Sequence, residues 1–252
     1  MAYEANRRVK TSARTFEIVE RLSRDDHIGV SQLAADLEMT KGIVHNHLST
    51  LREMGYVTKT SDGYRLSPKL LSVGLRARAN AQLYRYADGL LTGLAEQLDV
   101  GVVLCQEAGT DCVIVATYDV PPRLDTEVGT SFPLTESILG LVLRLSSERA
   151  APADRETEYD LAAIDRELAE NAYAIGPLSR GVAVSCVATP IRDDDGYGHG
   201  SVGVLLTERQ REQHLQRITE ATVTLRQQVE KRLRSEWTSE RSFATEKHSW
   251  IG

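Results

Sequence analysis

The chain has 252 residues, of which 41% are hydrophobic, and a formal net charge of −6. This length fits one large domain or two small ones, and the apolar content is that of a folded protein. No run of about 18 apolar residues is present and the first residues lack an apolar signal core, so we expect a cytoplasmic protein without a membrane span. Three cysteines without a C-x-x-C pair exclude a disulfide scaffold and argue against a zinc site.

The charge is distributed unevenly along the chain. Residues 1–90 carry 14 Lys+Arg and 10 Asp+Glu, a net +4, whereas residues 91–252 carry 16 and 26, a net −10. This asymmetry indicates two parts with different partners, so the acidic total does not exclude nucleic acid. Only six of the 30 basic residues are lysines. An acid excess with little lysine is typical of a salty cytoplasm such as that of a halophilic archaeon, although a GC-rich genome also favours arginine.

The N-terminal part predicts a winged helix-turn-helix. Apolar spacing predicts a helix over 12–22, capped by Ser12, and a second helix capped by Ser31. After a turn, a third helix is predicted over 41–55. Two β-rich runs then flank the hairpin signal at 61–63, where Asp is followed by Gly. Three helices followed by a hairpin are typical of a winged helix.

The rest of the chain predicts further α and β elements, which makes the fold class α+β. The pattern predicts, in chain order, a linker helix and then the first helix of a second domain over 68–98, strands over 100–118, a loop and helix over 129–145, helix and strand over 160–175, two strands over 181–207, and a long amphipathic helix over 208–237. The last residues, 238–252, are polar and are expected to be mobile.

The third helix is the expected recognition helix. Its outward face carries Lys41, His45, Asn46, Ser49, Thr50 and Arg52. Asparagine pairs with adenine through two hydrogen bonds, and Lys, Ser and Thr reach phosphates or base edges. Further DNA contacts are expected from the N-terminal arm, the helix starts and the wing, namely Arg7, Arg8, Lys10, Arg14, Ser31, Thr40, Lys59 and Arg65. The alternative is a winged helix that contacts protein through an ordinary solvated face.

No pattern indicates a metal site or catalysis. His45 and His47 are two residues apart, which on a helix does not place two ligands on one face, and His47 is expected to be partly buried. Nucleophile-elbow, P-loop and H-E-x-x-H motifs are absent. The glycine-rich stretch 196–203 joins two strands and does not open a helix, and 193–195 is read as a solvated acidic turn. We therefore expect no enzyme activity, no cofactor and no metal.

Several segments from both halves of the chain resemble the IclR family of transcriptional regulators. In the N-terminal part, the matching segments are VSQLAADLEMTKGIVHNHLSTLREMGYV and GYRLSPKLLSVG. In the C-terminal part, they are LTESILGLVLRL, ENAYAI and GVAVSCVATPIRDDDGYGHGSVGVL. The resemblance implies a DNA-binding domain (1–67), a linker helix (68–88), a GAF-like effector-binding and oligomerisation domain (89–235) and a polar tail (236–252). It also implies a homodimer or tetramer that binds double-stranded DNA at a near-palindromic operator and responds to a small-molecule effector.

The resemblance also implies an effector pocket, formed by Ser137, Leu139, Gly140, Ser185, Cys186 and Gly203. The sequence departs from the family at Leu141, where a lysine is usual, at Gly203 and Leu205, where small polar residues are common, and at Gly176, where an acid is frequent. The pocket is therefore less polar than one for a small carboxylic acid. Either the effector is more apolar, or the domain has lost its ligand and serves assembly. A third reading of the whole chain is a DNA-organising protein with little sequence preference, and Cys186 also fits a small core residue.

Overall fold

The structure, a computed structural model, describes residues 7–121, 124, 126–146, 157, 159–178, 184–194 and 196–247, with side chains described as far as residue 235. The chain forms two compact units, one ending at Asn80 and the other beginning at Ala81. Among the helices in these ranges, none combines the length and the apolar character that crossing a membrane requires.

The N-terminal unit has the predicted helix-turn-helix and wing. Its elements are α1 (Lys10–Leu22), α2 (Val30–Asp36), α3 (Lys41–Glu53), β1 (Val57–Lys59), β2 (Tyr64–Leu66) and α4 (Lys69–Asn80). The wing strands pair antiparallel, with Thr58 opposite Arg65 and Lys59 opposite Tyr64. One apolar core joins the helices to the wing, formed mainly by Ile18, Leu22, Leu33, Val44, Leu48, Leu51, Val57 and Tyr64.

Two helix starts differ from the sequence prediction. Helix α1 begins at Lys10 with Val9 at its N-cap, so Ser12 lies inside the first turn and does not cap it. Helix α2 has Gly29 at its N-cap, so Ser31 also lies inside the helix. The reason is tertiary: the backbone of Ile28 is held by Tyr64 through two hydrogen bonds of 2.9 and 3.0 Å, and this bridge sets where α2 begins.

The segment 68–98 forms two helices, as expected. Helix α4 ends at Asn80, Ala81 has extended backbone angles (φ −70°, ψ 112°), and α5 then runs over Gln82–Leu98. No side chain of α4 is buried, and three of its apolar side chains are about half exposed or more. Apolar spacing continues across the junction, so the pattern alone does not give the residue at which one helix ends and the next begins.

The C-terminal unit is an antiparallel sheet between two helical layers. Besides α5, its elements are β3 (Val102–Ala108), β4 (Asp111–Tyr118), β5 (Ser131–Pro133), α6 (Ile138–Leu145), α7 (Leu161–Asn171), β6 (Ala174–Pro177), β7 (Ser185–Arg192), β8 (Gly198–Leu206) and α8 (Glu208–Lys247). The strand order is β5-β4-β3-β8-β7-β6. One face of the sheet packs on α5 and α8, and the other packs on α6 and α7.

Two features of this unit were not predicted. Strand β5 is a short edge strand inside the segment expected to be a loop, where it pairs with β4 and ends at Pro133. Helix α8 continues to Lys247, beyond the predicted end at 237, so most of the expected mobile tail is helical. Five of the ten residues of the extension, 238–247, are Glu, Lys, Arg or Ala, which favour helix without requiring an apolar face. Residues 248–252 of the predicted tail lie outside the described residues.

Candidate nucleic-acid interface and effector pocket

Helix α3 is fixed by its buried side and its cap, which leaves its other side in solvent. Val44 and Leu48 are fully buried in the core of the unit, one helical turn apart. The Thr40 hydroxyl accepts a hydrogen bond from the backbone N–H of Ile43 at 3.3 Å and caps the helix. The first N–H groups of α3 therefore point out of a capped, rigid helix end, which is a favourable place for a phosphate.

The outward face of α3 is as polar as predicted. All the recognition-helix residues expected to contact DNA are exposed, namely Lys41, His45, Asn46, Ser49 and Thr50. Within the described part of the chain, neither the Asn46 amide nor the Lys41 ammonium group bonds to another side chain, so both are available to a ligand. Residues 42, 46 and 50 lie one turn apart, and an added Cβ at Gly42 would meet no atom within 4 Å. The centre of this face is therefore open to a groove-shaped partner.

A hydrogen bond that the sequence did not reveal braces α3 against α1. Thr15 Oγ1 lies 2.9 Å from His47 Nδ1, and the same hydroxyl donates to the carbonyl of Thr11 at 3.0 Å. A hydroxyl has a single hydrogen, so Thr15 must accept from His47, which carries a hydrogen on Nδ1. His47 is half-buried, as predicted. It positions the recognition helix and is not part of its outward face.

The wing and arm residues have different surroundings. Lys59 is exposed, with its ammonium group 5.9 Å from the centre of the Tyr64 ring. Arg65 instead lines a cavity of about 560 Å³ together with the carboxylates of Asp25, Asp26 and Asp62. The remaining predicted contacts, Arg14 and Ser31, are exposed on α1 and α2.

The residues predicted to form the effector pocket lie around one end of α6. Ser137 is fully buried, and its hydroxyl accepts the N–H of Gly140 at 3.0 Å, which caps α6. Gly140 allows the helix to touch the preceding loop, since a Cβ there would lie 2.7 Å from Leu134 Cα. Leu139 reaches the sheet beside Cys186 and Gly203. Ser185 begins β7 beside Leu206 and is half-buried.

Side chains of α6 fill the space that these residues would enclose. A Cβ built on Gly203 would lie 2.8 Å from Leu139 Cδ2 and 2.7 Å from Cys186 Sγ, and one on Gly176 would lie 3.2 Å from Ile138 Cδ1. Burial raises the pKa of the Cys186 thiol, and a hydrogen bond with the Val204 backbone offsets only part of this rise. The two glycines at positions where the family has polar side chains thus make room for leucine and isoleucine from the chain itself.

The described residues offer little for metal chemistry. No three His, Cys, Asp or Glu side chains among them are grouped to hold a metal ion. Cys105, Cys112 and Cys186 are buried free thiols on the sheet face that packs on α6. Burial, with help from the neighbouring Cys112, raises the pKa of Cys105 well above its ordinary value. Cys105 and Cys186 are therefore protonated core side chains at neutral pH.

Similar proteins share this architecture. A sequence profile described as "Bacterial regulatory protein, arsR family" matches residues 16–59, from α1 to the first wing strand. Over 208 residues the chain is 24% identical to the HTH-type transcriptional regulator KdgR of Escherichia coli (strain K12). This alignment covers 75% of this chain and 78% of that protein. An IclR transcriptional regulator structure from Alicyclobacillus acidocaldarius matches with a TM-score of 0.72 and 19% identity, over 89% of this chain and 98% of that one.

The chain has the IclR fold. The resemblance read from the sequence is confirmed, as is the α+β architecture of a winged helix followed by an antiparallel sheet between helices. An IclR homolog from Microbacterium hydrocarbonoxydans, solved in complex with 4-hydroxybenzoate, also matches, with a TM-score of 0.69 and 16% identity over 89% of this chain and 99% of that one. These proteins are named as regulators, in agreement with the expectation that this IclR-like chain is not an enzyme.

Proposed function

We propose that this protein is a sequence-specific, DNA-binding transcriptional regulator whose C-terminal unit responds to a small molecule. The observation that carries the proposal is the outward face of α3, where Lys41 and Asn46 are exposed on a capped helix packed against a wing. An exposed asparagine on a helix that fits the major groove reads adenine directly. We propose the domain limits 1–67, 68–88, 89–235 and 236–252 for the DNA-binding, linker, effector and tail segments.

The direct test measures binding of the purified full chain to its own promoter region by fluorescence anisotropy. Asn46→Ala is expected to weaken operator binding by about 1–3 kcal/mol and to relax the preference at one base pair. Asn171→Ala is the matched control, because Asn171 is exposed in the C-terminal unit and is expected to leave binding unchanged. Equal affinity of the wild type and Asn46→Ala for the operator would remove Asn46 from the interface, and the absence of any shift by folded wild type would refute DNA binding.

A salt titration separates the two kinds of contact on α3. Lys41 at the helix start is expected to contact a phosphate, so Lys41→Ala should lower the magnitude of the slope of log K against log salt by about 1. Asn46→Ala should leave the slope unchanged, since a base contact releases no counterion. A Lys41→Ala slope equal to that of the wild type would contradict the phosphate contact.

We propose a homodimer or tetramer on a near-palindromic site, as for other proteins with paired winged helices. The two recognition helices would then contact half-sites about 10 base pairs apart, or a multiple of that spacing. A footprint limited to one short palindrome supports this arrangement. Protection spread along the DNA without sequence preference would favour the alternative, a DNA-organising protein.

For the C-terminal unit, two proposals compete. A small apolar effector would contact Ser137, Leu139, Gly140, Ser185, Cys186 and Gly203, and Leu139 would have to turn away from Gly203 to admit it. The close contact between Leu139 and Gly203 favours the second candidate, a domain without a ligand at this place that serves assembly. A thermal-shift screen of metabolites distinguishes them, since a ligand at 100 times its Kd stabilises by about 2.7 kcal/mol. A shift that Leu139→Met or Ser137→Ala alters would place the effector here.

A further inference from the structure

A group of four charged side chains and one serine lies where β7 ends, away from the predicted pocket residues at the start of that strand. It involves the last residue of β7, the end of α6 and the second half of α8. The side chains are Arg192, Ser146, Arg226, Glu230 and Arg234. Nothing in the sequence pattern brings them together, because Arg192 and Glu230 are 38 residues apart. All of them belong to the C-terminal unit, so the group does not depend on the DNA-binding unit.

One buried carboxylate is shared by three arginines. Glu230 accepts the backbone N–H of Arg192 through Oε1 at 3.0 Å, and its side chain is only 9% exposed. Arg226 Nε lies 3.8 Å from Glu230 Oε1, and Arg234 Nη2 lies 3.9 Å from Oε2. Both distances exceed a hydrogen bond. Arg234 also reaches outward to Asp194 at 3.1 Å, in the solvent-exposed turn.

Two of the guanidinium groups have buried donors without an acceptor. Arg192 donates from Nη2 to Ser146 Oγ at 2.9 Å, and the Ser146 hydroxyl in turn donates to the Val142 carbonyl oxygen. Within the described residues, however, Arg192 Nε and Arg226 Nε are both buried and neither has a hydrogen-bond partner. A buried donor left without an acceptor costs about 1–3 kcal/mol, and more when it is charged.

The electrostatics agree with the hydrogen bonds. Burial and the neighbouring Arg226 charge lower the pKa of Arg192, and Glu230 and the exposed Asp165 offset only part of this. The two guanidiniums therefore repel each other in a place where water screens them poorly. Such like-charged, partly unsatisfied pairs are found in native proteins where an anion completes the site.

We infer that a compact inorganic anion such as chloride binds between the Arg192 and Arg226 guanidiniums, accepting hydrogen bonds from their N–H groups. The occupant must be small because both Nε atoms are buried. The half-exposed Arg234 side chain lies on the outer side of the group, where it pairs with Asp194. A bound anion would tie α8 to the end of β7 and to α6. The stability of the C-terminal unit would then rise with anion concentration, as suits an acidic, lysine-poor chain.

The test compares thermal unfolding in potassium chloride and in potassium gluconate at the same ionic strength, using the full chain. We expect a saturable rise in unfolding temperature with chloride over gluconate for the wild type. Arg226→Gln should weaken the apparent chloride affinity about ten-fold or more, because it removes a charged donor. Arg217→Gln is the matched control, since Arg217 is an exposed arginine of the same helix, and its chloride response should equal that of the wild type.

A crystal soaked in bromide provides a second measurement that does not depend on any variant folding. An anomalous peak between Arg192 and Arg226 is expected, and its absence at saturating bromide would overturn the inference. Equal responses of the wild type to chloride and gluconate would overturn it as well, as would an unaltered chloride response in Arg226→Gln. Each of these results leaves DNA binding by α3 untouched.

Discussion

Gly203→Ala tests whether the predicted effector pocket is filled by the chain itself. The added methyl group would lie 2.7 Å from Cys186 Sγ and 2.8 Å from Leu139 Cδ2, and both neighbours are fully buried. Carbon atoms pack best at about 3.5–4.0 Å, so one of the neighbours must shift by close to an ångström. Overpacking of this kind costs about 1–3 kcal/mol. The lower entropy of unfolded alanine returns about 0.4–1 kcal/mol, so a net loss of roughly 1–2 kcal/mol is expected.

The combination with Leu139→Ala makes the test specific. Alone, Leu139→Ala removes a fully buried side chain and should cost about 2–5 kcal/mol. In the double variant the contact with Leu139 is gone and only the one with Cys186 Sγ remains, so Gly203→Ala should cost less than it does in the wild type. The two changes should therefore couple by about 0.5–3 kcal/mol.

Chemical denaturation followed by fluorescence and circular dichroism gives the free energies of unfolding, from midpoints and slopes. Gly89→Ala is the matched control, because a Cβ at this exposed position of α5 meets no atom within 4 Å. It should stabilise by about 0.5–1 kcal/mol through helix propensity. A neutral Gly203→Ala without coupling to Leu139 would refute the packed pocket and restore an open effector site.

Two further predictions follow from the same core. Ser137→Ala should destabilise by about 0.5–2 kcal/mol in thermal unfolding, because the Gly140 N–H loses its capping partner in a buried place. Thiol reagents at neutral pH should label the native cysteines far more slowly than the unfolded ones. Raised pKa values in Cys105 and Cys186 add stability that is fully present below the unfolded thiol pKa of about 8.5 and is lost as pH rises above it, which denaturation at pH 7 and pH 10 checks.

Local chemistry was enough to predict the recognition helix and the wing. Val44 and Leu48 recur at helical spacing, and the Asp-Gly pair permits the hairpin, so both elements follow from residues close in sequence. The position of Gly63 has a further cause that only the fold shows. Its φ is +146°, and a Cβ there would lie 2.6 Å from the Ile28 carbonyl oxygen. The absence of a side chain at Gly63 lets the wing approach Ile28 closely. The backbone bridge that sets the start of α2 then forms between Ile28 and Tyr64, which are 36 positions apart and beyond the reach of any local pattern.

The candidate site was predictable only in part, for the same reason. The sequence identified which residues surround the end of α6, but not that Leu139 would occupy the space above Gly203. Which side chain fills a gap depends on the distance between a helix and a sheet, not on spacing along either. The arginines around Glu230 show the same limit, since each sits in an unremarkable stretch of its own element. Contacts between segments that are distant along the chain are therefore the part of the site that a sequence pattern does not predict.

The charges of the N-terminal unit limit how far DNA binding can depend on phosphates. Arg8 pairs with Glu17, Arg21 is held by two aspartates, and Arg65 faces a cavity lined with acids. Three of the 14 basic side chains in residues 1–90 thus face acids of the chain itself, so we expect the affinity to fall less steeply with salt than that count of basic residues alone would give. Hydrogen bonds to base edges release no counterions and are less sensitive to salt. In concentrated salt we therefore expect discrimination between sites to depend mainly on Asn46 and its neighbours on α3, rather than on the net charge of the unit.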